Sequence, residues 1–325
     1  MGKIVYTAGS GLPPTTFDDV WLAHKNRGEW WYCTGYLEDK GGDLFGYQFT
    51  LAKITVVVPF MLLICSVTDF RSGKHYNTQT PIFFGKGVTV TADTLAVDGH
   101  TRLTLSPNEH SGKGRMRLDM RGAGFRLDVE MEAAKPPVWH CDNGALQMGI
   151  PGETERTYYY SFTNLAARGS LEIGGKAYEG LAGKAWFDRQ GGTYHITDPR
   201  CGWEWFSLRF FDNTEAMLFA FPQDDYYDGT LIEASGAYRR LNDYTIKEME
   251  IITFEGKRFS NGWNLEMDGK KYTITPKISG MFNVFFFELL ADIKGEDGSL
   301  LGYCFVELLP GVRNKGNVLA AFIKK

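Results

Sequence analysis

Paired cysteines, surplus positive charge and long apolar runs are all scarce in this 325-residue sequence. The five cysteines (Cys33, Cys65, Cys141, Cys201 and Cys304) are scattered, odd in number and without any Cys-x-x-Cys spacing. With no secretory leader at Met1–Ser10, the pattern reads as reduced thiols in a cytoplasmic protein, not as a disulfide framework. The formal net charge is −4. Nucleic-acid binders present a basic face, so nucleic acid is not an expected partner. The longest apolar stretch, Ile54–Val67, contains Pro59. It falls short of the ~20 residues a membrane helix needs, so no stable membrane insertion is expected. Oligomeric state leaves no signature in the sequence.

Familiar catalytic signatures are also missing. There is no Gly-x-Ser-x-Gly elbow, no phosphate-binding Gly-x-x-x-x-Gly-Lys and no dinucleotide fingerprint after a strand. Gly85-Lys86-Gly87 and Gly112-Lys113-Gly114 read as turns. The six histidines lack paired ligand spacing. His140-Cys141, beside Trp139, fits a loop or core better than a metal site. Neither metal nor organic cofactor is expected.

Glycine and aromatic rings are abundant instead. The chain holds 38 glycines, about 12% where an average protein has roughly 7%. Aromatic residues reach 14%. Turns and rings together suggest an all-β protein with an aromatic interior. Phe125, Leu127, Val129 and Met131 alternate with Arg126, Asp128, Glu130 and Glu132, as a strand with one buried face requires. The segment Arg115–Arg121 alternates equally well, and Gly122–Gly124 joins the two as a hairpin. Asp98-Gly99, Asp228-Gly229, Asn261-Gly262, Asp268-Gly269 and Asp297-Gly298 each suit a tight hairpin turn. No long amphipathic helix is indicated; at most one helical turn fits around Leu165–Arg168. Roughly eighteen short strand candidates exceed a single ordinary barrel, so two β domains are expected. The best boundary is the polar stretch Arg189–Gly202, giving domains 1–195 and 196–325.

Three aromatic clusters carry the candidate chemistry. One is Glu29-Trp30-Trp31-Tyr32-Cys33-Thr34-Gly35-Tyr36-Leu37, continuing to Gly46-Tyr47-Gln48. Another is Gly183-Lys184-Ala185-Trp186-Phe187-Asp188-Arg189-Gln190-Gly191-Gly192, and the third Gly202-Trp203-Glu204-Trp205-Phe206. Taken alone, adjacent tryptophans on a strand divide between core and opposite face. A lone carboxylate there commonly bonds to backbone or arginine.

Joined in this order, the three clusters resemble the AttH/carotenoid 1,2-hydratase family. That family includes hydroxyneurosporene synthases, kievitone hydratase-like proteins and lipocalin-like Diels–Alderases that form decalins. Supporting pieces are His24, Thr68-Asp69, Tyr159-Tyr160-Ser161, Gly169-Ser170-Leu171, Phe287-Glu288 and Gly302–Leu308. The likeness spans roughly residues 17–310. It implies two consecutive lipocalin-like β domains with a hydrophobic pocket at or between them. Asp188 stands where the hydratases carry their acid, and Trp186 where they carry an aromatic partner. Their upstream His-x-Trp pair is replaced here by Tyr158-Tyr159-Tyr160-Ser161, and Gly191 replaces the second tryptophan of the usual Gln-Trp-Gly ending.

The implied chemistry is protonation of an alkene by Asp188. Burial among rings disfavours its ionised form and keeps a proton available near neutral pH. The faces of tryptophan and tyrosine stabilise the resulting cation by about 0.5–2 kcal/mol per contact. The resemblance thus assigns Asp188, Trp186 and Tyr159 to catalysis. It assigns Trp30, Tyr32, Tyr47, Ser161, Trp203 and Trp205 to binding a hydrophobic small molecule. Glu29 is expected to pair with an arginine at the domain seam, and Glu288 and Glu307 to be structural. The expected activity is a cofactor-independent cyclase or hydratase acting on an isoprenoid or polyene precursor. Two alternatives use the same pocket: a Diels–Alderase that templates a polyene by restricting its conformations, and a lipid carrier that leaves its ligand unchanged.

Overall fold

The computed structural model describes residues 2–7, 17–25, 28–54, 60–105, 114–148, 156–192, 202–222, 225–254, 257–278, 282–283 and 286–309. Cys201, Pro59, Gly112-Lys113 and residues 193–201 of the expected boundary lie outside them. Among the described residues the chain is nearly all-β, with 25 strands and one short helix, Phe17–Trp21. It forms two consecutive lipocalin-like domains, each built on a sheet curled into a half-barrel. One compact unit comprises Met1–Trp139 with Thr157–Thr193, the other His140–Arg156 with Tyr194–Lys325. No helix among the described residues is long and apolar enough to cross a membrane.

The first unit is built on one sheet whose continuous path has eleven strands. Its path runs through Lys74–Phe83, Phe60–Asp69, Leu44–Ile54, Gly28–Glu38, Lys176–Gly192, Arg156–Ile173, Phe125–Ala133 and Arg115–Gly122. All these neighbours pair antiparallel. The expected hairpin at Gly122–Gly124 is present, with Gly124 at a φ of 83°. Its polar face is laced by Arg117, whose Nε and Nη2 donate to Asp128 at 3.0 and 2.7 Å. Residues Leu165–Arg168 are strand, not a helical turn. Leu165 and Ala167 alternate into the core while their backbones pair on both sides, and a bulge between Phe162 and Leu165 takes up the irregularity.

Alternation sends Trp31, Cys33, Leu37, Phe45, Tyr47, Phe49, Leu51, Leu63, Cys65, Phe162 and Phe187 into one apolar core. One ionic knot sits on that same face. Glu29 and Arg189, both fully buried, are joined at 2.5 Å from Nη2 to Oε2. His24 donates its backbone N–H to Glu29 at 2.9 Å and sets Nδ1 3.0 Å from it, while Lys53 Nζ donates to Glu29 and to the His24 carbonyl. The Arg189 guanidinium donates further to the carbonyls of Trp21, Leu22 and Gln190 and lies 3.9 Å over the Trp31 ring. Nearly every lone pair and proton of the knot is used, the condition under which a buried ion pair is tolerated. Gly191 faces Glu29 across the strand pair, and a Cβ there would stand 2.6 Å from the Glu29 Cβ. The tryptophan of the usual family ending cannot fit at Gly191.

The second unit holds a 10-stranded sheet centred on Trp203–Phe210, Leu300–Leu309 and Phe286–Lys294. Gly99, Gly262, Gly269 and Gly298 adopt the positive φ expected of their turns. Asp228-Gly229 does not turn; it lies within the strand Tyr226–Ile232. Asp228 is buried and clamped by Arg240, Nε to Oδ1 at 3.0 Å and Nη2 to Oδ2 at 2.7 Å. Its carboxylate also accepts the Gly229 N–H at 2.9 Å. Gly229 packs so close to the neighbouring strand that a Cβ would meet the Met217 carbonyl at 2.4 Å. The pair is a charge anchor plus a close approach.

Burial would push the Glu29 carboxyl up, but Arg189, the His24 hydrogen bond and Lys53 outweigh it and lower it from 4.5 to about 2. A carboxyl held low in the folded state stabilises fully above its unfolded value and loses that contribution as pH falls through the folded one. Urea unfolding at stepped pH should therefore show stability falling between about pH 4.5 and 2, with a flatter profile in Glu29→Gln. Gly191→Ala should cost about 1–3 kcal/mol in the same assay at neutral pH, as overpacking does.

Candidate active site

Period two also decides which side chains share a face with Asp188. On the strand Lys176–Gly192, Ala185, Phe187 and Arg189 point to the core, so Trp186, Asp188 and Gln190 point away from it. Register then fixes their neighbours. Ser161 and Tyr32 flank Asp188 directly, Tyr159 and Trp30 flank Gln190, and Thr34 lies opposite Trp186. Side chains directly opposite in antiparallel strands stand about 5 Å apart at Cβ. Ser161, Asp188 and Tyr32 thus form one continuous row.

This second face is buried too. Asp188 is 4% exposed, Tyr32 3%, Tyr159 1%, and Ser161 and Trp186 fully enclosed. The Ser161 hydroxyl and the Trp186 indole N–H both donate to Oδ1 of Asp188. Two donors from different strands fix the plane of the carboxyl group. Gln190 donates to the Thr157 hydroxyl at 2.6 Å, holding the end of the same row of side chains.

Of the residues named from sequence, Asp188, Trp186, Tyr159, Ser161, Trp30 and Tyr32 share this face. Tyr47 does not. It points into the core beneath Gly35, where a Cβ would stand 2.4 Å from its ring, and its hydroxyl lies 3.8 Å from the Met131 sulfur. Glycine at position 35 makes room for that ring, so the family motif position reflects packing.

Trp203 and Trp205 stand on their own unit's sheet. Trp203 continues into a row of rings through Phe219, Phe221 and Tyr226, with centroids 6.3, 5.5 and 5.5 Å apart. Its indole N–H donates to Glu307 at 2.7 Å. Trp205 faces Phe219 and Glu307 in register, and Glu307 faces Glu288. Glu204, on the opposite side of that strand, accepts from Ser260 at 2.5 Å and from the Trp263 indole at 2.9 Å.

Burial pushes the thiols of Cys65, Cys141 and Cys304 up, Cys65 to about 12, so they stay protonated near neutrality. His140 is fully buried, which lowers its imidazole to about 3. The Cys141 N–H donates to the Thr230 hydroxyl at 2.9 Å, a loop anchor within the second unit. Among the described residues no three His, Cys, Asp or Glu side chains gather as a metal site requires.

Polar residues passed over in the sequence complete the face. Thr50 pairs with Tyr32, so it extends the Ser161–Asp188–Tyr32 row by one strand; Gln48 pairs with Thr34. Gln48 is 1% exposed, Thr50 7% and Ser66 3%. The available signal was a polar side chain at alternate positions of an otherwise apolar strand, Leu44–Ile54.

The AttH-like family model matches residues 12–310. No curated protein gives a match to the sequence. Among solved structures, a protein of Nitrosomonas europaea described as an AttH superposes with a TM-score of 0.80 at 20% identity, covering 96% of this chain and 98% of its own. Kievitone hydratase from Nectria haematococca superposes with a TM-score of 0.68 at 15% identity, covering 87% and 89%. At these identities the likeness establishes the shared fold.

Trp186→Phe removes one donor to a buried carboxyl group while keeping a ring in place. It should cost about 1–3 kcal/mol in urea unfolding. Combined with Ser161→Ala, the effects should be non-additive because both donors meet one oxygen.

Proposed function

Because the chain belongs to the AttH-like family, we propose that it is a hydratase-type enzyme acting on an unsaturated hydrophobic molecule, isoprenoid or polyene, with Asp188 as the acid. The observation that carries the reading is the grip of Ser161 and Trp186 on a buried carboxyl group set between Tyr32 and Ser161, with Tyr159 one pair further along the same face. Kievitone hydratase, a hydratase by name, shares the fold.

The step is a proton transfer from the Asp188 carboxyl to one alkene carbon, which leaves a cation at the other. The Ser161 and Trp186 donors stabilise the carboxylate left behind, because hydrogen bonds to an ionised oxygen are the strong kind. Tyr32, Trp30 and Tyr159 offer ring faces to the cation. Water adds its oxygen to the cation, and the proton it sheds returns to Asp188, so the group is restored. Where a second alkene of the same substrate reaches the cation first, a ring forms with a new cation, and a proton from the neighbouring carbon returns to Asp188 as the final double bond forms. Enclosure decides between the two outcomes by controlling where water stands.

The test is incubation of the purified protein with a panel of isoprenoid and polyene alkenes in ¹⁸O-labelled water. Hydration places the label in the product. A cyclic product without the label points to ring closure. Asp188→Asn should lower turnover by at least about a hundredfold, the lower end for general acid catalysis, while tryptophan-fluorescence quenching by the substrate persists. Full turnover in Asp188→Asn overturns the acid role and leaves conformational templating, the Diels–Alderase mode. Binding with no chemical change identifies a carrier.

A further inference from the structure

Gln48, Thr50 and Ser66 form a small polar array on the face that carries Asp188. Ser66 Oγ lies 3.2 Å from Gln48 Oε1, and Gln48 Nε2 bonds to Thr50 Oγ1. An amide carries two N–H donors and each hydroxyl carries one O–H. The array therefore owns four donor hydrogens and uses two in its two bonds. Turning the Gln48 amide over exchanges its partners and still leaves two hydrogens unspent, one on the amide and one on a hydroxyl. No further acceptor among the described residues takes them, and all three side chains are more than nine-tenths buried.

Buried donors without acceptors are costly, more so than acceptors without donors. A sheet face lined only for packing would carry apolar side chains here, as the opposite face of the same strand does with Phe45, Tyr47, Phe49 and Leu51. The position is equally informative. Thr50 pairs with Tyr32, and Tyr32 pairs with Asp188. Two strand spacings of ~4.8 Å separate them, so the array lies about 10 Å from the acid along the row. Tyr32 stands between the two in register, and Trp186 lies beside Asp188 on its own strand.

We propose that Gln48 and Thr50, braced by Ser66, receive an acceptor oxygen of the substrate, a carbonyl or carbonyl-like group, and so set which alkene reaches Asp188. The substrate class is then an amphiphile: an unsaturated chain with an oxygen-bearing end about 10 Å from the reacting double bond. Gln48 and Thr50 are positioning residues. The assignment rests on the reading of Asp188 as the reacting end of the site, but its test does not depend on turnover.

Farnesal, farnesol and farnesene share a branched polyene skeleton and differ in their terminal oxygen. Titration of each into the protein, followed by tryptophan fluorescence, should give farnesal an affinity about tenfold above farnesene, the worth of one well-made hydrogen bond. Thr50→Val and Gln48→Met should erase that preference while leaving farnesene binding unchanged. Thr50→Ser, which keeps the hydroxyl, should retain it. Circular dichroism and urea unfolding identify any variant that has lost its fold; Thr50→Ser and Thr50→Val then decide. Asp188→Asn should keep the preference, which separates failure of this assignment from failure of the acid role. Equal affinities for farnesal and farnesene, a preference that survives Thr50→Val, or no saturable binding of any of the three overturns the proposal.

Discussion

Everything at the candidate site depends on the buried pairing of Glu29 with Arg189. The two residues sit on neighbouring strands, Gly28–Glu38 and Lys176–Gly192, and both point into the core. A slip of one residue between these strands would turn every side chain to the other face. Such a slip would also break an ion pair whose removal costs several kcal/mol. The knot therefore acts as a register pin. With Glu29 held by Arg189, His24 and Lys53, Tyr32 must lie beside Asp188 and Thr34 beside Trp186.

The same logic separates two kinds of work on one strand. Odd positions of Lys176–Gly192 near its end supply packing and charge locking; even positions supply a carboxyl group and its rings. Both faces are enclosed, so the strand reads in sequence as an unbroken aromatic and polar mixture, without the clean alternation of Phe125–Ala133. That contrast governs how much was legible. The half-exposed hairpin of Arg115–Gly122 and Phe125–Ala133 announced itself through charge alternation, and structure and sequence agree residue by residue. Family motifs located Asp188 and Trp186, but the face occupied by each motif residue needed the register. Tyr47 sits in the same motif as Gln48, one residue away, yet its ring belongs to the core and the Gln48 amide to the site.

Local turn chemistry was a weaker guide. Asp-Gly at 98–99, 268–269 and 297–298 turns as its backbone preference suggests. The same dipeptide at 228–229 runs straight, because Arg240 claims the Asp228 carboxylate and the neighbouring strand claims the space beside Gly229. Tertiary charge and close backbone approach override a preference worth about 1 kcal/mol. Leu165–Arg168 shows the same ordering of effects: pairing on both sides outweighs whatever helical tendency Leu, Ala, Ala and Arg possess.

Gly191 carries a consequence beyond its own position. By giving up a side chain there, the strand leaves the core side to Glu29 and Arg189 and frees the other side to vary. Gln48 and Thr50 stand on the face of their strand opposite the knot, so the scaffold tolerates substitutions there independently of the pin. A fold arranged in this way can exchange one reactant for another without renegotiating its own stability. Specificity and foldability are then separable traits, carried back to back on the same few strands.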